Sequence, residues 1–212
     1  MQVEIPGPAG TLEGFLHLPE GDGTFPAVVV CHPHPQMGGD MNNNVVMGVC
    51  YSLFIAGIAS LRFNFRGVGR SQGDYDEGRG EIGDVLAALA FAGSQESIAT
   101  DAVGLVGYSF GAGVAMKTAQ RGGVTRALSL IGRARVDAED DFSRIPSLPI
   151  QFVIGDRDRL MPEEQFTDLK AKLVTPPEMH VVPGADHFFG GQEREASEPV
   201  TAFFQRWLSA SA

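Results

Sequence analysis

The sequence predicts an α/β protein with a mostly parallel central sheet, helices on both faces and an antiparallel hairpin at the amino end. Short apolar runs typical of buried strands alternate with helical patterns, which indicates β-α-β units. The first two candidate strands, residues 2–5 and 12–18, are separated only by a short Pro/Gly turn, which favours an antiparallel hairpin. The chain has 212 residues without a repeat or a linker, so we expect one domain over residues 1–212.

The remaining elements follow in order along the chain. Later strands are expected where apolar runs occur, at residues 27–32, 58–65, 103–106, 127–131, 150–154 and 179–182. Helices are expected where apolar residues recur at spacings of three and four, at residues 42–55, 81–92, 111–120, 163–173 and 199–208. The insertion at residues 132–149 is too short for a helical lid domain. We therefore expect a site at the carboxyl ends of the strands to have little or no lid.

Composition and charge exclude several classes of protein. The formal net charge of −10 argues against binding to nucleic acid or to anionic membranes, because both need basic patches. The longest apolar runs, such as residues 27–31 and 102–106, are too short to span a bilayer. The amino terminus shows no secretory signal, so we expect a cytoplasmic protein with Cys31 and Cys50 as reduced core residues.

The most informative segment is Gly-Tyr-Ser-Phe-Gly at residues 107–111. It lies between an apolar run and small residues that open a helix, so the chain must turn sharply at Ser109. Such a turn exposes a strained, outward-pointing serine, and only glycine fits at Gly107 and Gly111. This context favours a nucleophile over an ordinary glycine-rich turn.

A serine nucleophile needs a base, and the base needs an orienting acid. His187 lies on a glycine-flanked loop between the last strand and the last helix, which favours a base over a surface histidine without a role. Two aspartates follow the strand at residues 150–154. We predict that Asp158 is the acid, because Asp156 directly follows the strand-end glycine and more plausibly shapes the turn. The order serine, acid, histidine is that of an α/β-hydrolase sheet.

Acyl transfer also needs hydrogen-bond donors for an oxyanion. One donor is expected to be the backbone N–H of Phe110, at the amino end of its helix. A second is expected from the loop His-Pro-His-Pro-Gln-Met-Gly-Gly at residues 32–39, where the prolines have no N–H. His34 is the best remaining candidate, with Gln36 or Met37 behind it. Two prolines also stiffen this loop, which suits a preorganised donor.

The sequence offers weak signals for a metal or a cofactor, and we expect neither. His32 and His34 are two residues apart on a proline-locked loop without a matching carboxylate or cysteine cluster. The glycines at 67, 69 and 73 fit neither of the phosphate-binding glycine patterns. Phe188, beside the candidate base, and Met37 are the expected substrate-binding side chains.

The chain resembles the α/β-hydrolase superfamily, in particular its small lidless bacterial members related to dienelactone hydrolase-like and carboxylesterase-type proteins. The resemblance is carried by five segments, namely HPHPQMGGDMNNNVV (32–46), RFNFRGVGRSQG (62–73), GYSFGAG (107–113), GDRDRLMP (155–162) and GADHFFGG (184–191). It implies Ser109 as nucleophile, Asp158 as acid, His187 as base, and Phe110 with His34 as oxyanion donors. Dienelactone hydrolases proper use a cysteine nucleophile, so ester hydrolysis by a serine is the inference carried over.

We therefore expect a serine hydrolase that cleaves small carboxylic esters, with a small-molecule ester as its substrate partner and a homodimer as a possible assembly. A peptidase, thioesterase or lactonase shares the same oxyanion chemistry and stays open as an alternative. A member of the fold that has lost catalysis and acts as a binding protein is the other hypothesis.

Overall fold

The computed structural model of the protein describes residues 1–123, 126–133, 145, 147–160, 173 and 176–208. In these residues the strands are β1 (Gln2–Gly7), β2 (Gly10–His17), β3 (Phe25–Cys31), β4 (Ala59–Phe63), β5 (Ile98–Tyr108), β6 (Leu128–Ile131), β7 (Ile150–Gly155) and β8 (Glu178–Val182). The α-helices are α1 (Asn44–Ile55), α2 (Glu81–Gly93), α3 (Phe110–Gln120) and α4 (Glu193–Leu208), and a 3-10 turn covers Pro35–Met37.

The described strands form one sheet in the order β1-β2-β4-β3-β5-β6-β7-β8. β1 pairs with β2, and β2 with β4, in antiparallel fashion, whereas every pairing from β4 to β8 is parallel. The predicted fold class, a mostly parallel sheet with an antiparallel amino-terminal hairpin, is confirmed. Because β3 to β8 all run the same way, the loops that follow them meet at one edge of the sheet.

Helices cover both faces of the sheet, and alternate residues of each strand reach one face or the other. In β3, Val28 and Val30 pack into a cluster with residues of α1 and α4, whereas Val29 and Cys31 pack into a cluster with residues of α2 and α3. Strands buried on both faces explain the near-continuous apolar runs of the sequence. None of the described helices combines the length and hydropathy needed to cross a membrane.

The last helix begins at Glu193 rather than at Pro199, so the predicted start is wrong. Proline fits best in the first turn of a helix, because inside a helix it removes one hydrogen bond at a cost of roughly 3 kcal/mol. Here Val200, Phe203 and Phe204 are fully buried against the sheet. Burial of each such side chain is worth about 1.5–3 kcal/mol, which offsets the cost of the internal proline.

Two other expectations need comment. β5 begins at Ile98, well before the predicted start at residue 103. The sequence prediction missed its first residues because exposed polar residues there interrupt the apolar run. Of the predicted helix at residues 163–173, residues 163–172 lie outside the described residues, as does most of the insertion at residues 132–149.

The turn from β5 into α3 depends on two glycines. A Cβ on Gly107 would lie 2.3 Å from the Gly111 carbonyl oxygen, and a Cβ on Gly111 would lie 2.6 Å from the carbonyl oxygens of Cys31 and His32. Both contacts are with backbone atoms, which cannot swing aside. The amino end of α3 therefore approaches the end of β5 at Gly107 and the end of β3 at Gly111 only because these side chains are absent.

We expect Gly111→Ala to destabilise the protein by about 1–3 kcal/mol, since the added methyl group forces backbone atoms apart. Gly113→Ala is the matched control in the same helix, because nothing lies within 4 Å of a Cβ built there. Alanine is about 0.5–1 kcal/mol better than glycine inside a helix, so the control should be neutral or stabilising. Urea unfolding of the two variants measures the difference. Equal stabilities would contradict the steric argument.

Candidate active site

Ser109 lies on a strained turn at the carboxyl end of β5. Its backbone has φ 54° and ψ −114°, and its N–H donates to the Ile131 carbonyl oxygen over 2.9 Å. Among the described non-glycine residues, positive φ occurs at Glu77, Ser109 and Phe189. Glu77 and Ser109 line one cavity, and the Phe189 ring contacts Tyr108, another residue of its lining. Backbone strain is therefore concentrated around this cavity, as is common at functional sites.

Three predicted side chains meet here in one hydrogen-bonded chain. The Ser109 Oγ lies 2.9 Å from His187 Nε2, and His187 Nδ1 lies 2.8 Å from Asp158 Oδ2. An ionised carboxylate only accepts, so Nδ1 carries the imidazole proton and Nε2 accepts from the serine hydroxyl. The side chains of His187 and Asp158 are only 7% and 1% exposed, which shields their contact from water.

The two candidate aspartates have different partners. The second carboxylate oxygen of Asp158 accepts the Leu160 N–H over 2.8 Å, so both oxygens of this buried group are held. Asp156 is exposed, and its Oδ1 accepts the Gly184 N–H over 2.7 Å. Asp156 thus ties the loop after β7 to the loop after β8, and Asp158 reaches the imidazole.

Close packing of these two loops brings His187 to Asp158. A Cβ on Gly155 would lie 2.2 Å from the Ala185 carbonyl oxygen, so the loops can approach only at a glycine. Tyr108, immediately before the serine, donates its hydroxyl proton to the His187 carbonyl oxygen over 2.9 Å. Burial raises the pKa of Tyr108, which keeps this hydroxyl a donor. The histidine is therefore fixed through its backbone as well as through its ring.

The predicted oxyanion donors line the same cavity as Ser109. Phe110 is the first residue of α3 and His34 precedes the 3-10 turn. Among the described residues, neither backbone N–H has a hydrogen-bond acceptor. The backbone N–H groups of Gln36 and Met37, the two alternative donors, already have acceptors. The Gln36 N–H donates to His34 Nδ1 over 3.2 Å, and the Met37 N–H donates to the His34 carbonyl oxygen over 3.0 Å. His34 is thus the available N–H on this turn.

Both ring nitrogens of His32 are engaged within the protein. Nδ1 lies 2.7 Å from the Pro33 carbonyl oxygen, and Nε2 accepts the Phe65 N–H over 3.0 Å. His32 therefore links the ends of β3 and β4 as a neutral imidazole, and burial lowers its pKa to about 4. No group of three or more metal-ligating side chains is found among the described residues.

The cavity has a volume of about 530 Å³ and opens to solvent. The expected substrate-binding residues Met37 and Phe188 lie in its lining and are 79% and 63% exposed, so both stand at its mouth. The described lining also includes residues that the sequence did not single out, among them Tyr75, Tyr108, Lys117 and Arg133. Tyr108 is marked by its position next to the serine, but no sequence pattern marks Tyr75.

The glycine- and arginine-rich loop between β4 and α2 is held by carboxylates of α2. Asp84 is fully buried and accepts from Arg66 Nη2 over 2.7 Å and from Arg66 Nε over 3.0 Å. Glu81, also fully buried, accepts the N–H groups of Asp76 and Gly78, each over 2.8 Å. Arg66 thus fixes the loop, and the loop forms one wall of the cavity.

Comparisons with known proteins show the family to which the chain belongs. The dienelactone hydrolase family matches residues 72–211 of this chain. The uncharacterized protein RP471 of Rickettsia prowazekii (strain Madrid E) is 33% identical over 210 residues, which cover 95% of this chain and 87% of that protein.

Two solved structures are similar over almost the whole chain. XC6422 from Xanthomonas campestris, described as an α/β serine hydrolase without lid, has a TM-score of 0.86 and 30% identity, over 100% of this chain and 96% of that chain. An α/β serine hydrolase homologue from Coxiella burnetii has a TM-score of 0.84 and 36% identity, over 95% of this chain and 96% of that chain.

We expect the buried His32 to make stability depend on pH. An unfolded histidine has a pKa of about 6.5, so as the pH falls from there towards 4 the unfolded chain binds more protons than the folded protein. The stabilising contribution of neutral His32 is thus complete above about pH 6.5 and is lost as the pH falls. Between about pH 7.5 and pH 5 the loss amounts to about 2 kcal/mol.

The measurement is the free energy of unfolding in urea at both pH values, for the wild type and for His32→Gln. The variant starts from a lower stability but should lose about 2 kcal/mol less over this interval, because it has no imidazole to protonate. If the free energies of unfolding of the two proteins fell equally between the two pH values, His32 would not be the source of the pH dependence.

Proposed function

This chain belongs to the dienelactone hydrolase family, and from that premise we propose that it is a serine hydrolase that cleaves small carboxylic esters through an acyl-enzyme intermediate. The expected resemblance to the small lidless α/β hydrolases is confirmed by the matches, and the chain is a hydrolase. One observation supports the proposed acyl-enzyme mechanism. It is the contact chain from Ser109 through His187 to the buried Asp158, with distances of 2.9 Å and 2.8 Å.

In the proposed mechanism Ser109 Oγ attacks the carbonyl carbon of the ester. His187 Nε2 accepts the hydroxyl proton as the new C–O bond forms, which makes the weakly nucleophilic alcohol reactive at neutral pH. Asp158 accepts the Nδ1–H, holds the imidazole in the required tautomer and stabilises the imidazolium ion that forms. Its own contact with the Leu160 N–H keeps the carboxylate aimed at the ring.

The tetrahedral intermediate carries its negative charge on the former carbonyl oxygen. The backbone N–H groups of Phe110 and His34 are the proposed donors to this oxygen. Phe110 adds the positive end of the α3 dipole, and the rigid 3-10 turn keeps the His34 N–H in place before the substrate arrives. Donors that are already oriented need no reorganisation during the reaction.

Collapse of the intermediate expels the alcohol, which takes the proton from His187 and leaves an acyl ester on Ser109. Water then enters, gives a proton to His187 and attacks the acyl carbonyl. The second intermediate releases the carboxylic acid and restores the serine hydroxyl. A cavity of about 530 Å³ that opens to solvent suits small substrates and admits this water.

We expect Ser109→Ala to lower kcat for short-chain p-nitrophenyl esters by about 10³-fold or more, because no covalent intermediate can form. The wild type should release p-nitrophenol in an initial burst and react with a fluorophosphonate probe at Ser109. The variant should show neither signal. A folded wild-type protein without a burst and without labelling would contradict the proposal.

A parallel panel of esters, thioesters, lactones and aminoacyl compounds, compared by kcat/KM, then ranks the substrate classes.

The two aspartates offer a matched test of the acid. Asp158→Asn should lower kcat by about 10⁴-fold, because an amide favours the wrong imidazole tautomer. Asp156→Asn should stay within a few-fold of the wild type, since the amide oxygen can still accept the Gly184 N–H. Steady-state kinetics of both variants decide the matter. Similar losses in the two variants would rule out a special role for Asp158.

A further inference from the structure

Tyr75 is a polar side chain of the cavity to which the proposed mechanism assigns no task. It is half-buried on the loop between β4 and α2, and it lines the cavity together with Ser109. Its ring centroid lies 5.5 Å from that of His34 and 5.8 Å from that of Phe110. These are the two residues whose backbone N–H groups are the proposed oxyanion donors. Tyr75 therefore stands beside the reacting end of the cavity.

The hydrogen bonds around His34 fix the direction in which the Tyr75 hydroxyl can donate. His34 Nδ1 accepts the Gln36 N–H over 3.2 Å, so in the neutral ring the proton is on Nε2. Nε2 lies 3.3 Å from the Tyr75 hydroxyl oxygen and donates to it. Because His34 is the donor in this contact, no group within the described parts of the chain accepts the proton of the Tyr75 hydroxyl. Tyr75 thus has a donor left for a molecule in the cavity.

The loop that carries Tyr75 is held rigidly. The fully buried Glu81 accepts the N–H groups of Asp76 and Gly78, and Glu77 between them adopts φ 54°. Strain in a sparsely populated conformation persists only where the surroundings enforce it. Here the buried carboxylate does so, and the result is a hydroxyl held in a set position before substrate binds.

We propose that the Tyr75 hydroxyl donates a hydrogen bond to an oxygen atom of the substrate beyond the reacting carbonyl. The protein then selects esters that carry a hydroxyl, ether or second carbonyl oxygen in the acyl or the alcohol part. The inference rests on the proposed function, in which the two backbone N–H groups already serve the reacting carbonyl oxygen. A hydrocarbon at this place would leave the donor unpaired, and such mismatches discriminate strongly between substrates.

The ionisation of Tyr75 agrees with this role. Burial, together with the negative charges of Glu81 and Glu77, raises the pKa of the Tyr75 hydroxyl. The group therefore keeps its proton at neutral pH and remains a donor.

The test compares esters of nearly equal shape that differ by one oxygen. For the acyl part the pair is p-nitrophenyl methoxyacetate and p-nitrophenyl butyrate, and for the alcohol part it is 2-methoxyethyl acetate and butyl acetate. Tyr75→Phe should lower kcat/KM about tenfold for the oxygen-bearing ester of one pair and less than about twofold for its hydrocarbon partner. The pair that responds identifies the part of the substrate that Tyr75 contacts.

Two further variants make the comparison specific. Tyr51→Phe is the matched control, because Tyr51 is 69% exposed on α1 and lies outside the cavity lining. It should leave unchanged, in both pairs, the ratio of kcat/KM for the oxygen-bearing ester to kcat/KM for its hydrocarbon partner. His34→Asn can keep a side-chain acceptor for the Gln36 N–H but cannot reach Tyr75, so it should lower the same ratio by about threefold. It also keeps the proposal testable if Tyr75→Phe fails to fold, which thermal unfolding reveals.

The outcomes separate the inference from the function on which it rests. An equal loss for both esters of each pair, or no loss for any ester, would overturn the role of Tyr75. Wild-type protein that hydrolyses p-nitrophenyl butyrate and is labelled at Ser109 supports the proposed function in either case. Wild-type protein that fails on all four esters and takes no label overturns both.

Discussion

The close approach of α3 to the end of β3 is the constraint on which the site depends. Gly111 packs against the carbonyl oxygens of Cys31 and His32, and this contact leaves Ser109 in a left-handed conformation that a serine would otherwise avoid. The same contact puts the amino end of α3 beside the loop that follows β3. A nucleophile candidate and two backbone N–H groups that find no acceptor among the described residues thus share one small volume, because two glycines allow two backbones to touch.

Around this turn, the polar groups of the site are held by protein partners. His187 is held by Asp158 through its ring and by Tyr108 through its carbonyl oxygen, and Asp158 is held in turn by the Leu160 N–H. His32 uses both ring nitrogens to join the ends of β3 and β4. Groups oriented in advance lose little entropy in a reaction, which is the general advantage of such preorganised sites.

The wall formed by the loop between β4 and α2 has a different origin, since this loop has no regular secondary structure. Buried carboxylates at the amino end of α2 replace the ladder hydrogen bonds that a strand would have. Asp84 holds Arg66, and Glu81 holds the backbone on either side of Glu77. The helix dipole favours negative charge at this end of α2, so the two acids are compatible with their burial. This arrangement gives Tyr75 a defined place, and the proposed selectivity of the site depends on it.

The sequence by itself determined the strand order along the chain, the hairpin, the sharp turn at Ser109 and the positions of His187 and Asp158 after their strands. These features are local, because apolar periodicity and glycine placement act within a few residues. The sequence favoured Asp158 as the partner of His187 and His34 as the available N–H, and the described contacts agree with both choices. Only the tertiary structure decided that α4 begins before Pro199 and that Tyr75 enters the cavity. Each of these depends on contacts between segments far apart in the chain, such as Phe203 with the sheet. The energies of those contacts can outweigh local preferences, and no local pattern records them.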